Sequence, residues 1–267
     1  MKFAATLGAA VLLASPALAT TLKITVTSEA PDGGLSVTPV ASLFHDGSYD
    51  FFDAGTANTS AGLELLAEQG PPTGLIAEFS AANPNGVATA VAQPANGAPP
   101  IEPGESGSAM VSVDGAINAY FSFATMIIPS NDTFAANDDA MAIRLFDDAG
   151  MFLGPKDIVI SADMFYDLGT EVNDPADGAA FLMDVNGAGG TVEDGLITPA
   201  ASLAAFAGLT TASGYVVDGN AIDFFGQGAD FVVARITIEE ISDVPLPAGA
   251  PLLLGGLLAF GWLRRRK

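Results

Sequence analysis

The chain has 267 residues, of which nine are Lys or Arg, 31 are Asp or Glu, one is His and none is Cys, for a formal net charge of −22. A 49% hydrophobic content over this length excludes a disordered acidic tail and allows a full core, as one large β domain or two smaller ones. The acidity argues against a nucleic-acid partner, the missing thiols remove disulfides, thiolate metal sites and a Cys nucleophile, and the single imidazole leaves oxygen ligation of calcium or magnesium as the accessible metal chemistry.

Residues 1–19 read as a signal peptide. Lys2 is the positive start, Phe3 to Ala14 the apolar stretch, and Ala17-Leu18-Ala19 a small-x-small cleavage site. The body then runs from Thr20 to Asp243. Thr21 to Thr27 alternates apolar and polar residues, the period-2 signal of a half-buried strand. Ser36 to Phe44 continues in β-rich composition. His45 is the one candidate imidazole base, and no G-x-S-x-G elbow accompanies it, so it reads as a strand-end residue beside Asp46. Ser60 to Gly70 breaks the strand pattern and predicts a short helix. Ser60 caps its start and Gly70 closes its end, while Leu63 stands where a full capping box needs Glu or Gln.

Further β-rich runs follow at Gly74 to Phe79, Ala109 to Val113, Ala119 to Ile128, Met141 to Phe146 and Asp157 to Ser161. Residues 82–106 read as a long loop, Asp147 to Gly150 as a polar turn, and 196–215 support no assignment. Asp184 to Gly189 opens like an EF-hand loop, but Ala188 and Gly195 occupy ligand positions and no flanking helices are indicated. Phe231 to Glu239 repeats the strand alternation. Many short strands punctuated by Gly, Pro, Asn and Asp predict an all-β antiparallel sandwich with one short helix near 60–69.

Residues 244–267 form a tail. Ala248 to Leu263 carries no charge over 16 residues, which as a helix spans about 24 Å against a hydrocarbon core of about 30 Å. Arg264, Arg265, Arg266 and Lys267 follow as a positive-inside stop. Val244, Pro245, Leu246, Pro247 and Ala248, the apolar span and the basic end together resemble bacterial protein-sorting tails of the VPLPA kind. That resemblance implies recognition by a membrane-embedded sorting enzyme during export; the alternative is a permanent membrane anchor. Both put the body outside the cytoplasm, at the cell surface or beyond it.

Several stretches of the body resemble the spondin N-terminal domain. Val37-Thr38-Pro39-Val40 followed by His45-Asp46-Gly47 is similar to its opening strand and loop, and Ser60 to Leu63 with Leu66 to Gly70 to its short helix. Phe121 to Asp132 resembles its central strand and Pro-Ser-x-Asp loop, Tyr166 to Glu171 its Tyr-Asp-Ala-Gly-Thr-Asp loop, and Val233 to Ile238 its closing strand. The resemblance covers roughly residues 21–240. It implies a β-sandwich related to calcium-dependent lipid-binding modules, with a calcium ion held by loops at one end. Matched residue by residue, the implied metal ligands are Asp132, Asp167 and Glu171, the last being Glu where the family has Asp.

Charge distribution agrees with that location. Between Thr20 and Asp243 four basic residues, Lys23, Arg144, Lys156 and Arg235, stand against all 31 acids, a net charge of −27, and 14 of the acids lie between residues 131 and 194. Crowded carboxylates repel unless a cation or bulk solvent intervenes, and calcium accepts six to eight oxygens in flexible geometry. The expectation is an exported, surface-sorted, non-enzymatic protein of adhesion or matrix and biofilm organisation. Its cofactor would be calcium, and its partner an extracellular protein or polysaccharide, with membrane contact through the tail. Alternatives are a calcium-dependent lipid or glycan binder and an extracellular hydrolase using paired carboxylates.

Overall fold

A computed structural model describes residues 19–93, 100–187 and 189–241. The cleavage segment before Ala19, the sorting motif Val244 to Ala248 and the rest of the tail lie outside the described residues. In chain order the strands and helices are β1 (Thr20–Ser28), β2 (Ser36–Val37), β3 (Val40–His45), α1 (Ala61–Gln69), α2 (Thr73–Ala82), β4 (Val87–Val91), β5 (Ser106–Val113), β6 (Tyr120–Ile128), β7 (Thr133–Ala136), β8 (Lys156–Ser161), β9 (Phe165–Asp167), β10 (Thr198–Pro199) and β11 (Val232–Glu240). Every strand pair is antiparallel, in a four-stranded sheet of order β5-β1-β11-β8 and a seven-stranded sheet of order β10-β9-β7-β6-β3-β4, with β2 also on β6.

The period-2 runs at the two ends of the body become neighbours. β1 and β11 pair with Ile24 opposite Ile238 and Val26 opposite Ile236, all four fully buried. Alternation also explains β6, which is buried along nearly its whole length. Phe121, Phe123 and Ile127 enter the core between the sheets. Ala124, Met126 and Ile128 on the opposite face enter a second core, with Leu43 and Phe134. That second face needs a cover, because leaving each large side chain in water would forfeit about 1.5–3 kcal/mol. Leu63 and Leu66 of α1 and Leu75 and Phe79 of α2 provide it, joined by Phe52. The molecule is therefore a sandwich with a helical pair laid on the larger sheet.

The sandwich and the helix near 60–69 are present, but three local expectations fail. Gly74 to Phe79, read as a strand, is helical within α2. Its apolar residues sit at Leu75, Ile76 and Phe79, and a short run of this kind suits either period until something packs on it. Residues 82–106 are not one loop, since β4 pairs with β3 from Val91 opposite Val40 to Val87 opposite Phe44. Met141 to Phe146 forms only isolated bridges, Tyr120 to Arg144 and Phe146 to Phe152. Residues 196–215, unassigned from sequence, contain β10 and a short 3-10 turn at Ala204–Phe206.

α1 and α2 touch closely. A Cβ on Gly62 would lie 2.5 Å from the carbonyl carbon of Gly74 and the amide nitrogen of Leu75. Glycine at 62 is what permits that approach.

Candidate functional site

The turn from β6 into β7 is held by one serine. Ser130 Oγ donates to the Ile127 carbonyl at 2.7 Å and accepts from the Thr133 amide at 3.1 Å. This places Asp132 immediately before β7. β9 pairs with β7 so that Asp167 stands opposite Thr133. The chain then turns at Gly169, which has a φ of 72°, and residues 170–172 run back over Asp132. Thr170 and Glu171 donate their amides to Asp132 Oδ2 at 2.9 and 3.1 Å. The fold thus gathers Asp132, Asp167 and Glu171 in one loop cluster at one end of the larger sheet.

Asp132 is fully buried, and its Oδ1 has no hydrogen-bond partner among the described residues. Burial first, and then the charge of Asp167, push its carboxyl up to about 6, against the two amides that favour ionisation. Asp167 is raised too, mainly by burial and also by Glu193, while the Gly169 amide and the Asn173 side chain oppose the shift. Glu171 is 4% exposed; Oε1 accepts from the Gly190 amide at 2.6 Å and Oε2 has no hydrogen-bond partner among the described residues. Two asparagines complete the frame. Asn173 Nδ2 donates to Asp167 Oδ2 at 2.8 Å, and Asn173 Oδ1 accepts from the Asn131 amide at 3.2 Å. Asn131 Nδ2 donates to the Asp177 carbonyl at 2.6 Å and Asn131 Oδ1 accepts from the Asp174 amide at 3.1 Å. Sequence reasoning passed over both, since an amide next to a crowded acid leaves no periodic signal.

It also passed over Glu68. This residue lies on α1, far from the acidic stretch in sequence, yet it lines a cleft of about 450 Å³ together with Glu64, Thr170, Glu171, Glu193 and Asp194. Burial raises Glu68 to about 7; the Thr170 hydroxyl opposes that shift, and the charges of Glu171, Glu64 and Asp132 add to it. Among the described residues, no three Asp, Glu or His side chains are grouped closely enough to hold a metal ion by themselves. A cation at Asp132 therefore needs carbonyl, amide or water oxygens as well, which calcium accepts. Asp132 Oδ1 and Glu171 Oε2 are the buried carboxylate oxygens left without hydrogen-bond partners among the described residues.

The other sequence candidates resolve into local structure. His45 ends β3 and is buried. Its Nδ1 accepts from the Gly47 amide at 3.0 Å, so the neutral ring carries its proton on Nε2, 3.0 Å from Ser122 Oγ. Burial lowers its pKa, against the pull of Asp46. In that tautomer the ring donates to Ser122 and cannot accept its proton. Asp147 Oδ1 closes a turn by accepting from Ala149 and Met151 at 2.9 Å each, and Asp148 pairs with Arg144. Asp184, where the EF-hand-like run begins, is exposed in a turn at φ 61°. No helix among the described residues is long and apolar enough to cross a membrane. No protein-family model matches the chain, and no curated protein sequence matches it.

Proposed function

We propose that this chain is an exported, surface-sorted protein with a spondin-like sandwich, and that it binds calcium at the loop end of the larger sheet. Its work is adhesion or matrix organisation outside the cell, toward an extracellular protein or polysaccharide, and no step of it requires catalysis. The observation that carries the calcium reading is Asp132, fully buried, with Oδ1 unpartnered and Asp167 beside it. An ionised carboxylate in that position is unfavourable alone and favourable against a divalent charge. Asp132 and Asp167 would hold the ion, with Glu171 as third carboxylate. Bound calcium supplies positive charge that ties the Asp132 turn to the loops after β9. The frame built by Asn131 and Asn173 keeps those loops in register with it.

The test is thermal. Calcium should raise the melting temperature of residues 20–243 by mass action. Asp132→Asn should abolish that rise, and Asp148→Asn, in the exposed Arg144 pair, should leave most of it. Identical melting curves in calcium and in chelator would remove the site. A larger loss from Asp148→Asn than from Asp132→Asn would place the metal in the wrong loop.

A further inference from the structure

A cleft of about 480 Å³ opens at the other end of the larger sheet, within the size range of small-molecule sites. β6 begins beside it at Tyr120 and ends at Ile128, shortly before Asp132, so its nine residues put about 30 Å between this cleft and the calcium loops. Asn118 lines the cleft and is 2% exposed. Its Nδ2 donates to the Asn85 carbonyl at 3.0 Å, which ties the turn after α2 to the turn before β6. That leaves Asn118 Oδ1 with no hydrogen-bond partner among the described residues, where buried polar atoms ordinarily have one. Asp46 lines the same cleft. Its Oδ1 accepts from the Ser48 amide at 2.9 Å and the Ser48 hydroxyl at 2.6 Å, bonds that lower its pKa and leave Oδ2 for a ligand. No described Lys or Arg lines the cleft, and His45 there is held toward the neutral form by burial, with both ring nitrogens engaged inside the protein. Pro84, Ala116 and Ile117, the last 47% exposed, add apolar surface.

We propose that this cleft binds a neutral sugar unit of an extracellular polysaccharide. A pyranose carries several hydroxyl donors on one rigid ring, so a single ligand can serve both the buried amide oxygen and the carboxylate. Its C–H face would cover the apolar surface of Pro84, Ala116 and Ile117. An acidic sugar or a phosphate would find no cation here and would meet a strongly acidic body. The inference narrows the partner of the function proposed above to its polysaccharide class. It rests on that reading for the ligand's place outside the cell, and uses none of the calcium ligands.

The experiment uses the full chain in a polyoxyethylene detergent with chelator. Cellotriose, maltotriose, mannotriose and galactotriose are titrated by calorimetry beside trigalacturonate and triglucosamine. At least one of the neutral sugars should bind, about tenfold or more tighter than either charged one. Asn118→Ala should weaken that sugar about tenfold. Removal of a buried amide can loosen the fold, so Asp46→Asn, at an exposed position, is measured beside it. It keeps an acceptor for Ser48, exchanges the charged acceptor for a neutral amide, and should weaken the sugar about fivefold. Glu239→Gln, exposed at the end of β11, should change affinity by less than about twofold. Absence of binding by all four neutral sugars would overturn the proposal. So would preference for either charged trisaccharide, or an affinity unchanged in Asp46→Asn, which would put the sugar elsewhere. Sugar binding without any calcium shift would leave this proposal standing and remove only the metal site; a calcium shift without sugar binding would do the reverse.

Discussion

At the scale of single residues, Asp132 links stability to pH. Its carboxyl is raised from 3.8 to about 6 in the folded chain, by burial and then by Asp167. A carboxyl raised on folding favours the protonated form. Its stabilising contribution is present in full below the unfolded pKa and is lost as pH rises through the folded one. With the side chain fully buried, the contribution lost is of order 3 kcal/mol at 1.36 kcal/mol per unit. In chelator, the parent should therefore lose melting temperature relative to Asp132→Asn between about pH 4 and pH 6. Calcium should reverse that loss, because it stabilises the ionised carboxylate. If parent and variant melt in parallel across this range, Asp132 does not titrate as its environment requires.

At the scale of elements, the start of α1 shows what local sequence leaves open. Ser60 Oγ accepts from the Leu63 amide at 2.9 Å, as an N-cap should. The capping box lacks its acid, since Leu63 stands there. The Ser60 amide donates to Asn58 Oδ1 at 3.0 Å instead, and Glu78 of α2 joins the cap from another helix. Its Oε1 accepts from the Gly62 amide at 2.7 Å, and its Oε2 accepts from Ser60 Oγ at 2.5 Å. The cap therefore spans two helices. Ser60→Ala should lower stability by about 1 kcal/mol. Combined with Glu78→Ala, it should show a coupling of about 0.5–3 kcal/mol in a double-mutant cycle read by urea unfolding. Additive losses would show that Glu78 acts independently of the cap. Serine before an apolar run and glycine after it were enough to place α1. Nothing near residue 60 announced that a carboxylate 18 positions later would join the cap, on a segment whose short apolar run read equally well as strand.

At the scale of the molecule, the excess of acid has an address. The body carries −27 across 224 residues. Its two arginines are spent in exposed pairs of little energetic weight. Among the acids where the loops after β6 and β9 meet α1, burial raises the carboxyls of Asp132 and Glu68, and the calcium proposal rests on that region. The proposed route to the cell surface assigns retention to the ends of the chain, apart from this site. Deleting residues 244–267 should release the body into the medium, measured by its partition between cells and supernatant. Retention of the truncated chain would show that the body itself holds the surface.

The sequence by itself determined the outline: mostly short strands, period-2 runs at both ends of the body, a capped helix at 60–69, and a concentration of acids after residue 131. Those features are local, set by alternation, turn residues and composition, and so they can be read without contacts. Only the tertiary structure decided that β1 pairs with β11, that Gly74 to Phe79 is helix, and that Glu68 and Asp132 share one acidic neighbourhood. Each of these depends on which distant surface is buried against which. That is a matter of covering an apolar sheet face and finding donors for buried carboxylates, and neither is written in neighbouring residues.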